Sequence, residues 1–395
     1  MPAPTFYIPR TSETYVHEAF GRFPALALLG PRQSGKTTLA RRAFADLAYS
    51  NLEDPTVRAQ ATEDPVGYLD RFPRGAVLDE VQNVPALFSY LQPRLDEADR
   101  PSQFVLTGSH QFQLVQSLTQ SLAGRVALTK LLPLSLAELG AAGRLAKLSL
   151  DETIWRGGYP RAWADGARPG EVYLSYLETY IERDVRVLVN LKDANLFRRF
   201  LQFVAGRTGQ LLNKESLARD VGVDPKTVEA WLVALEASFV ILRLQPWHAN
   251  LGKRLVKTPK IYMVDVGLAC HLLRIEEPRQ LAAHPLRGEL FETMIVVEML
   301  KRRLNAGKAS NLYFYRDSGG TEVDLVLEYA DGIYPVEIKA ASTYTPRFAA
   351  SLAKLAPVSP RGGAVILGGG SPGVRGNTRI VPWTELPALA DGLDL

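Results

Sequence analysis

Apolar positions along the chain come in short runs closed by turn residues. Ala25 to Leu29 is such a run, ended by Gly30, and it reads as a buried strand. The same signal recurs at 48–52, at Ala76-Val77-Leu78, at Phe104-Val105-Leu106 and from Val126 to Leu132. Residues 11–20 read as a short amphipathic helix before the first strand, and Thr38 to Asp46 as a helix after it. Short buried strands alternating with helices predict an α/β domain with a parallel sheet. After Pro133 the pattern turns helical, with apolar positions at helical spacing over 171–189 and Arg183, Asp184 and Arg186 interspersed.

Residues 211–247 predict a winged helix-turn-helix. Asn213 opens one helix and Gly222 ends it; Asp224-Pro225 caps and starts the next. Val228, Trp231, Leu232 and Leu235 then form one buried stripe. Lys226, Thr227, Glu229 and Ala230 are left facing outward, as on a helix that meets a groove. Phe239 to Leu244 reads as a wing strand, and Arg243, Lys253, Arg254 and Lys257 as phosphate contacts. From residue 258 strands dominate: Ile261 to Asp265, Asn311 to Arg316, Glu322 to Glu328, Ile333 to Lys339 and Ala364 to Gly368. A long amphipathic helix runs from Gly288 through Leu300, and Val381-Pro382-Trp383 closes the domain. The expected division is 1–150, a helical lid or linker at 151–195, 196–257 and 258–395.

Composition adds three constraints. At 395 residues the chain exceeds one core and predicts two or three domains. The single cysteine, Cys270, excludes an intramolecular disulfide and a cysteine-based zinc cage, and the five histidines lack metal spacing. No long uninterrupted apolar stretch predicts a membrane span, and Met1 to Arg10 predicts no secretory signal, so the expected location is cytoplasmic. The net charge is +4, yet residues 191–260 hold twelve Lys/Arg against six Asp/Glu. A basic middle points to nucleic acid.

The most specific chemistry lies at 30–37. Gly30-Pro31-Arg32-Gln33-Ser34-Gly35-Lys36-Thr37 fits G-x-x-x-x-G-K-[ST], between a predicted strand and a predicted helix. Its glycines let the backbone curl so that N–H groups face a phosphate, and the helix presents its positive end to the same anion. Lys36 adds a charge on the phosphates, with Thr38 just behind it, and the Thr37 hydroxyl suits Mg²⁺. Asp79-Glu80 ends a buried strand about forty residues on. Ligands of α/β sheets sit beyond the strands' C-terminal ends, so both acids are expected at the phosphates. Asp79 would hold Mg²⁺, and Glu80 would orient and deprotonate the attacking water. Ser109 or Thr107 would hydrogen-bond the γ-phosphate or that water. Arg125 would stabilise charge on the transferring group, in its own subunit or a neighbour's.

These segments resemble AAA+-type ATPases: Walker A at 30–37, Walker B at 76–80, a sensor-like Ser109 and Arg125 in the place of an arginine finger. The chain is more closely similar to prokaryotic ATPases that join an AAA-type domain to a C-terminal DUF4143 domain. Asp79-Glu80-Val81-Gln82, Leu106 to Ser109, Leu122 to Arg125, Pro133 to Glu138 and Gly157-Gly158-Tyr159-Pro160 carry that likeness. The resemblance implies ATP and Mg²⁺ as ligands and a homo-oligomer, a hexameric ring among the forms expected.

The C-terminal strands carry a second pattern. Glu337 and Lys339 alternate onto one strand face, and the adjacent hairpin strand can set Asp324 beside them. Two carboxylates at one point can hold Mg²⁺, and a neighbouring lysine can position a water. Glu292, from the helix before, would add a third. This order resembles the PD-(D/E)xK nuclease fold, with Val323 where that pattern often has proline. The expected activity is ATP hydrolysis coupled to remodelling of, or movement on, DNA, branched DNA included. Two rivals stand beside it: an ATP-dependent nuclease using Asp324, Glu337 and Lys339, and a nucleotide-switched protein that grips a protein partner.

Overall fold

The computed structural model describes residues 6–98, 101–109, 122–181, 193–248 and 258–395. His110, Arg183, Asp184, Arg186, Lys253, Arg254 and Lys257 lie outside the described residues, so nothing here bears on the readings that fall on them. Contacts divide the chain into two compact units, one built mainly from residues 1–134 and one mainly from 135–395.

The first unit is built on a five-stranded sheet: β1 (Ala25–Leu29), β2 (Ala48–Asn51), β3 (Ala76–Asp79), β4 (Phe104–Gly108) and β5 (Val126–Lys130). Their order is β2-β3-β4-β1-β5 and every pairing is parallel. Helices Glu13–Phe20 and Lys36–Ala43 pack their apolar sides on it, with Val16, Ala19, Leu39 and Ala40 joining Leu26, Leu28, Val77 and Val105 in one core. β1 and β4 are buried along their whole length, which is why they read as unbroken apolar runs. Register fixes what meets at the sheet's C-terminal edge. Leu29 pairs with Gly108 and Leu78 with Leu106. Gly30, Asp79-Glu80 and Ser109 are therefore brought to one edge by three adjacent strands.

The second unit contains a winged helix and a mixed sheet. Helices Ala194–Ala205, Lys214–Val221 and Pro225–Ala237 accompany β6 (Gln210–Leu211), β7 (Ile241–Leu244) and β8 (Lys260–Met263), antiparallel in the order β6-β8-β7. Phe197, Phe200 and Trp231 stack edge to face between the helices. The mixed sheet comprises β9 (Leu312–Arg316), β10 (Glu322–Tyr329), β11 (Gly332–Lys339), β12 (Gly363–Leu367), β13 (Gly373–Arg375) and β14 (Thr378–Pro382). Its order is β13-β14-β12-β11-β10-β9. β9, β10 and β11 run antiparallel, and β11, β12 and β14 parallel. The fold is thus α/β, with a parallel-sheet N-terminal domain, a winged helix-turn-helix and a C-terminal mixed-sheet α/β domain. Among the described residues no helix is long and apolar enough to cross a membrane.

Candidate active site

The loop after β1 has the backbone its glycines predict. Gly35 caps the helix Lys36–Ala43 in the left-handed region at φ 98°, and Gln33 also lies there at φ 60°. At Gly30 a Cβ would come within 2.2 Å of the Leu131 carbonyl oxygen, so any side chain would force the loop away from β5. The first N–H groups of the helix have no intrahelical acceptor. Lys36 is buried, and its ammonium donates to the carbonyls of Gly30 and Pro31, both at 2.9 Å. Two buried polar atoms of the loop, Ser34 Oγ and Gln33 Oε1, have no partner among the described residues. Such orphans in a donor-lined loop fit an absent polar ligand.

At the end of β3, Asp79 is buried and enclosed by hydroxyls. Thr37 Oγ1 lies 3.0 Å from both carboxylate oxygens, Tyr49 Oη donates to Oδ2 at 2.6 Å, and Thr107 Oγ1 donates to Oδ1. Burial, then this bond, pushes the Tyr49 phenol up. Glu80 turns out of the strand at φ 55°. Its N–H donates to Thr107 Oγ1 at 3.2 Å. Its Oε2 accepts from Ser109 Oγ at 3.0 Å and from Gln82 Nε2. Burial pushes the Glu80 carboxyl up, but the Lys36 charge, the Gln82 bond, the Arg32 charge and the Ser109 bond outweigh it, so the net shift is downward. The result is a half-buried carboxylate held ionised and aimed, beside a lysine and a hydroxyl–carboxylate pair suited to a hard cation. Of the sequence alternatives, Ser109 braces Glu80, while Thr107 serves Asp79 and the Glu80 backbone.

Three family patterns match the chain in order: an AAA domain over residues 22–140, a domain of unknown function (DUF8612) over 147–279, and another (DUF4143) over 287–386. An uncharacterized protein of Mycobacterium tuberculosis is 34% identical over 349 residues, covering 85% of this chain and 74% of that protein. This chain belongs to the family that joins an AAA domain to DUF4143. An uncharacterized protein of Haemophilus influenzae is 24% identical over 252 residues, 60% of this chain and 59% of its own. Among solved structures, the Walker-type ATPase of Pyrococcus abyssi aligns at 17% identity with TM-score 0.39, over 66% of this chain and 94% of its own. AMPPCP-bound DnaA from Aquifex aeolicus aligns at 14% identity with TM-score 0.31, over 58% and 89%.

The AAA domain contains one support that the sequence does not announce. Arg10 is buried and donates to the carbonyls of Ser34 and Leu132, both at 2.7 Å, tying the phosphate loop to the segment after β5. Arg10→Ala is expected to lower the stability of this unit by about 3 kcal/mol, since bonds from a charged donor contribute about 1.5–3 kcal/mol each. A thermal melt with and without ATP checks it: the melting temperature falls and the shift produced by ATP shrinks.

Arg125 needs a correction. It precedes Val126, whose register partner is Ala25, the first residue of β1, and its carbonyl accepts from Ala25 N. It therefore sits at the N-terminal edge of the sheet, a strand's length (about 15 Å) from the loop after Leu29. Its guanidinium is exposed and pairs with Asp96 at 2.5 and 2.8 Å. Strand direction thus places it away from its own subunit's phosphate loop.

In the DUF4143 domain the structure brings Asp324, Glu337 and Lys339 together. Lys339 Nζ lies 3.2 Å from Asp324 Oδ2 and 2.7 Å from Glu337 Oε1. Ile338 N donates to Asp324 Oδ2 at 2.8 Å, and Ser351 Oγ to Glu337 Oε2 at 3.0 Å. A register shift between Val323 and Val326 re-aims Asp324 on β10. Glu292 is held by Tyr262 Oη at 2.6 Å and by Lys260 at 3.0 Å. Burial, then the Asp324 charge, pushes Glu292 and Glu337 up to about 7 each, against the pull of Lys260 and Lys339 respectively. Sequence reasoning missed Lys260, Tyr262 and Glu322, because only the packing of β8 against this sheet reveals them.

Proposed function

We propose that this protein hydrolyses ATP at residues 30–37 and couples the cycle to DNA through its winged helix. The observation that supports hydrolysis, beyond nucleotide binding, is the pairing of Glu80 with Ser109 and Gln82 at the edge that also carries the phosphate loop. Gly30 to Thr38 would surround the triphosphate, the loop N–H groups and Lys36 offering donors to its oxygens. Lys36 would have to exchange the Gly30 and Pro31 carbonyls for those oxygens. Thr37 and Asp79 would hold Mg²⁺, which when bound neutralises phosphate charge. Glu80, ionised near neutral pH, accepts a proton from the attacking water, and Ser109 and Gln82 keep its carboxylate from turning away. A neighbouring copy's Arg125 would supply further positive charge, which requires a homo-oligomer such as a ring.

The DNA reading rests on the winged-helix topology and the basic middle of the sequence. Arg243, read from sequence as a phosphate contact, is engaged elsewhere: it pairs with Glu229 at 2.8 Å and Glu236 at 2.5 Å. Its guanidinium pKa is raised, burial lowering it and these two partners overcoming that. Lys226, Thr227, Ala230 and Val233 remain as the outward positions of the helix Pro225–Ala237. ATP turnover measured with single-stranded, duplex and four-way-junction DNA tests the coupling. Stimulation by one form, weakened by added salt, is the expected result. Turnover indifferent to every DNA would replace DNA by a protein partner. The proposed location is the cytoplasm, in keeping with a single buried thiol at Cys270.

A further inference from the structure

A nuclease of the kind the C-terminal pattern resembles needs two or three carboxylates with open oxygens converging on one divalent ion. Here a lysine from another element stands among them. Lys260, on β8 of the winged helix, is 3% exposed. Its ammonium lies 3.0 Å from Glu292 Oε1 and 2.6 Å from Glu322 Oε1, beneath the ring of Phe314. The remaining contacts are donors as well. Tyr262 Oη occupies the same Glu292 oxygen, Arg316 takes Glu322 Oε2, and Lys339 spans Asp324 and Glu337. Among the described residues no three acidic, histidine or cysteine side chains gather as a metal cradle. A divalent ion bound to Glu292 Oε1 at about 2.1 Å would share that oxygen with the ammonium, and one bound to Oε2 would face the ammonium across the same carboxylate, so two cations would crowd one buried group. Lys260 has little room to leave, because β8 is the central strand of β6-β8-β7. The residues present do not fit a divalent metal.

We infer that Lys260 is a built-in cation standing where a nuclease of this pattern would hold its metal, so that the DUF4143 carboxylates form a metal-free ion network. The network joins β8 to β10, β11 and the helix Arg287–Asn305, and it needs no exchangeable ion. It does not depend on the ATPase reading, because it shares no residue with the phosphate loop.

Mn²⁺ binding to the full chain, followed by electron paramagnetic resonance without nucleotide, tests the inference. The measurement is made in an Asp79→Asn background so that the phosphate loop contributes no metal ligand. With Lys260 intact, no bound Mn²⁺ is expected at equimolar protein. Adding Lys260→Met is expected to create one Mn²⁺ site per chain, lost again on adding Asp324→Asn, and Mn²⁺ should raise the melting temperature of the Lys260→Met chain. Binding with Lys260 intact that disappears in Asp324→Asn would overturn the inference, and this arm needs no variant at position 260. A folded Lys260→Met chain that gains no site would overturn it too. So would Mg²⁺-dependent plasmid nicking by the wild-type chain that is abolished by Lys339→Ala.

Discussion

Glu80→Gln is expected to reduce ATP turnover about a thousandfold while leaving ATP binding intact, within the range that a positioned general base contributes. The amide keeps the volume and the hydrogen bond from Ser109, but it cannot take a proton. Glu80 is held at φ 55° by the turn after β3 and by its bond to Thr107, so the side chain enters the site from a fixed backbone. The pH dependence follows from the downward shift. A carboxylate whose pKa lies below the ordinary glutamate value stays deprotonated through mildly acidic pH, and turnover declines only as pH falls through that lowered value. A steady-state profile of kcat checks the sign: an acidic limb starting near pH 6 or above would mean that Glu80 is not the group being titrated. The Glu80→Gln chain should trap bound ATP, measurable as a stoichiometric nucleotide complex after gel filtration.

Lys36→Ala acts at an earlier step. The variant is expected to weaken ATP binding about a hundredfold, corresponding to about 3 kcal/mol for a lost charge-assisted contact. Part of the loss belongs to the free protein, because Lys36 also holds the Gly30 and Pro31 carbonyls. Titration calorimetry with Mg-ATP separates this variant from Glu80→Gln: one loses binding, the other loses only turnover. Comparable affinity in the Lys36→Ala and wild-type chains would mean that ATP does not bind at the loop.

What could be read from sequence follows from distance along the chain. The phosphate loop is eight contiguous residues whose conformation is set by two glycines and a helix start, so its pattern and its geometry coincide. Asp79 and Glu80 were placed by a general property of parallel sheets, and β4, lying between β1 and β3, brings Ser109 to the same edge. The own-subunit alternative for Arg125 failed because order along the chain does not reveal which end of a strand a residue occupies; the register Ala25 to Val126 decides it. Arg243 misled for a related reason. Its charge looked available on the wing strand, but Glu236 and Glu229, seven and fourteen residues earlier on the preceding helix, neutralise it. Tyr49, Arg10 and Lys260 carry no local signature at all. Each reaches its partner across the fold, Lys260 across thirty-two residues to Glu292 and Arg10 across 122 to Leu132. Buried cations of this sort are committed to partners that only tertiary packing supplies.

The loop at 30–37 and Glu80 are expected to form one hydrolytic site. The most direct test is phosphate release from Mg-ATP by the wild-type chain and by Glu80→Gln, with ATP binding measured on both samples. Equal binding, with turnover in the wild type alone, is the expected result. Binding without hydrolysis in the wild type, or hydrolysis undiminished in Glu80→Gln, would contradict it.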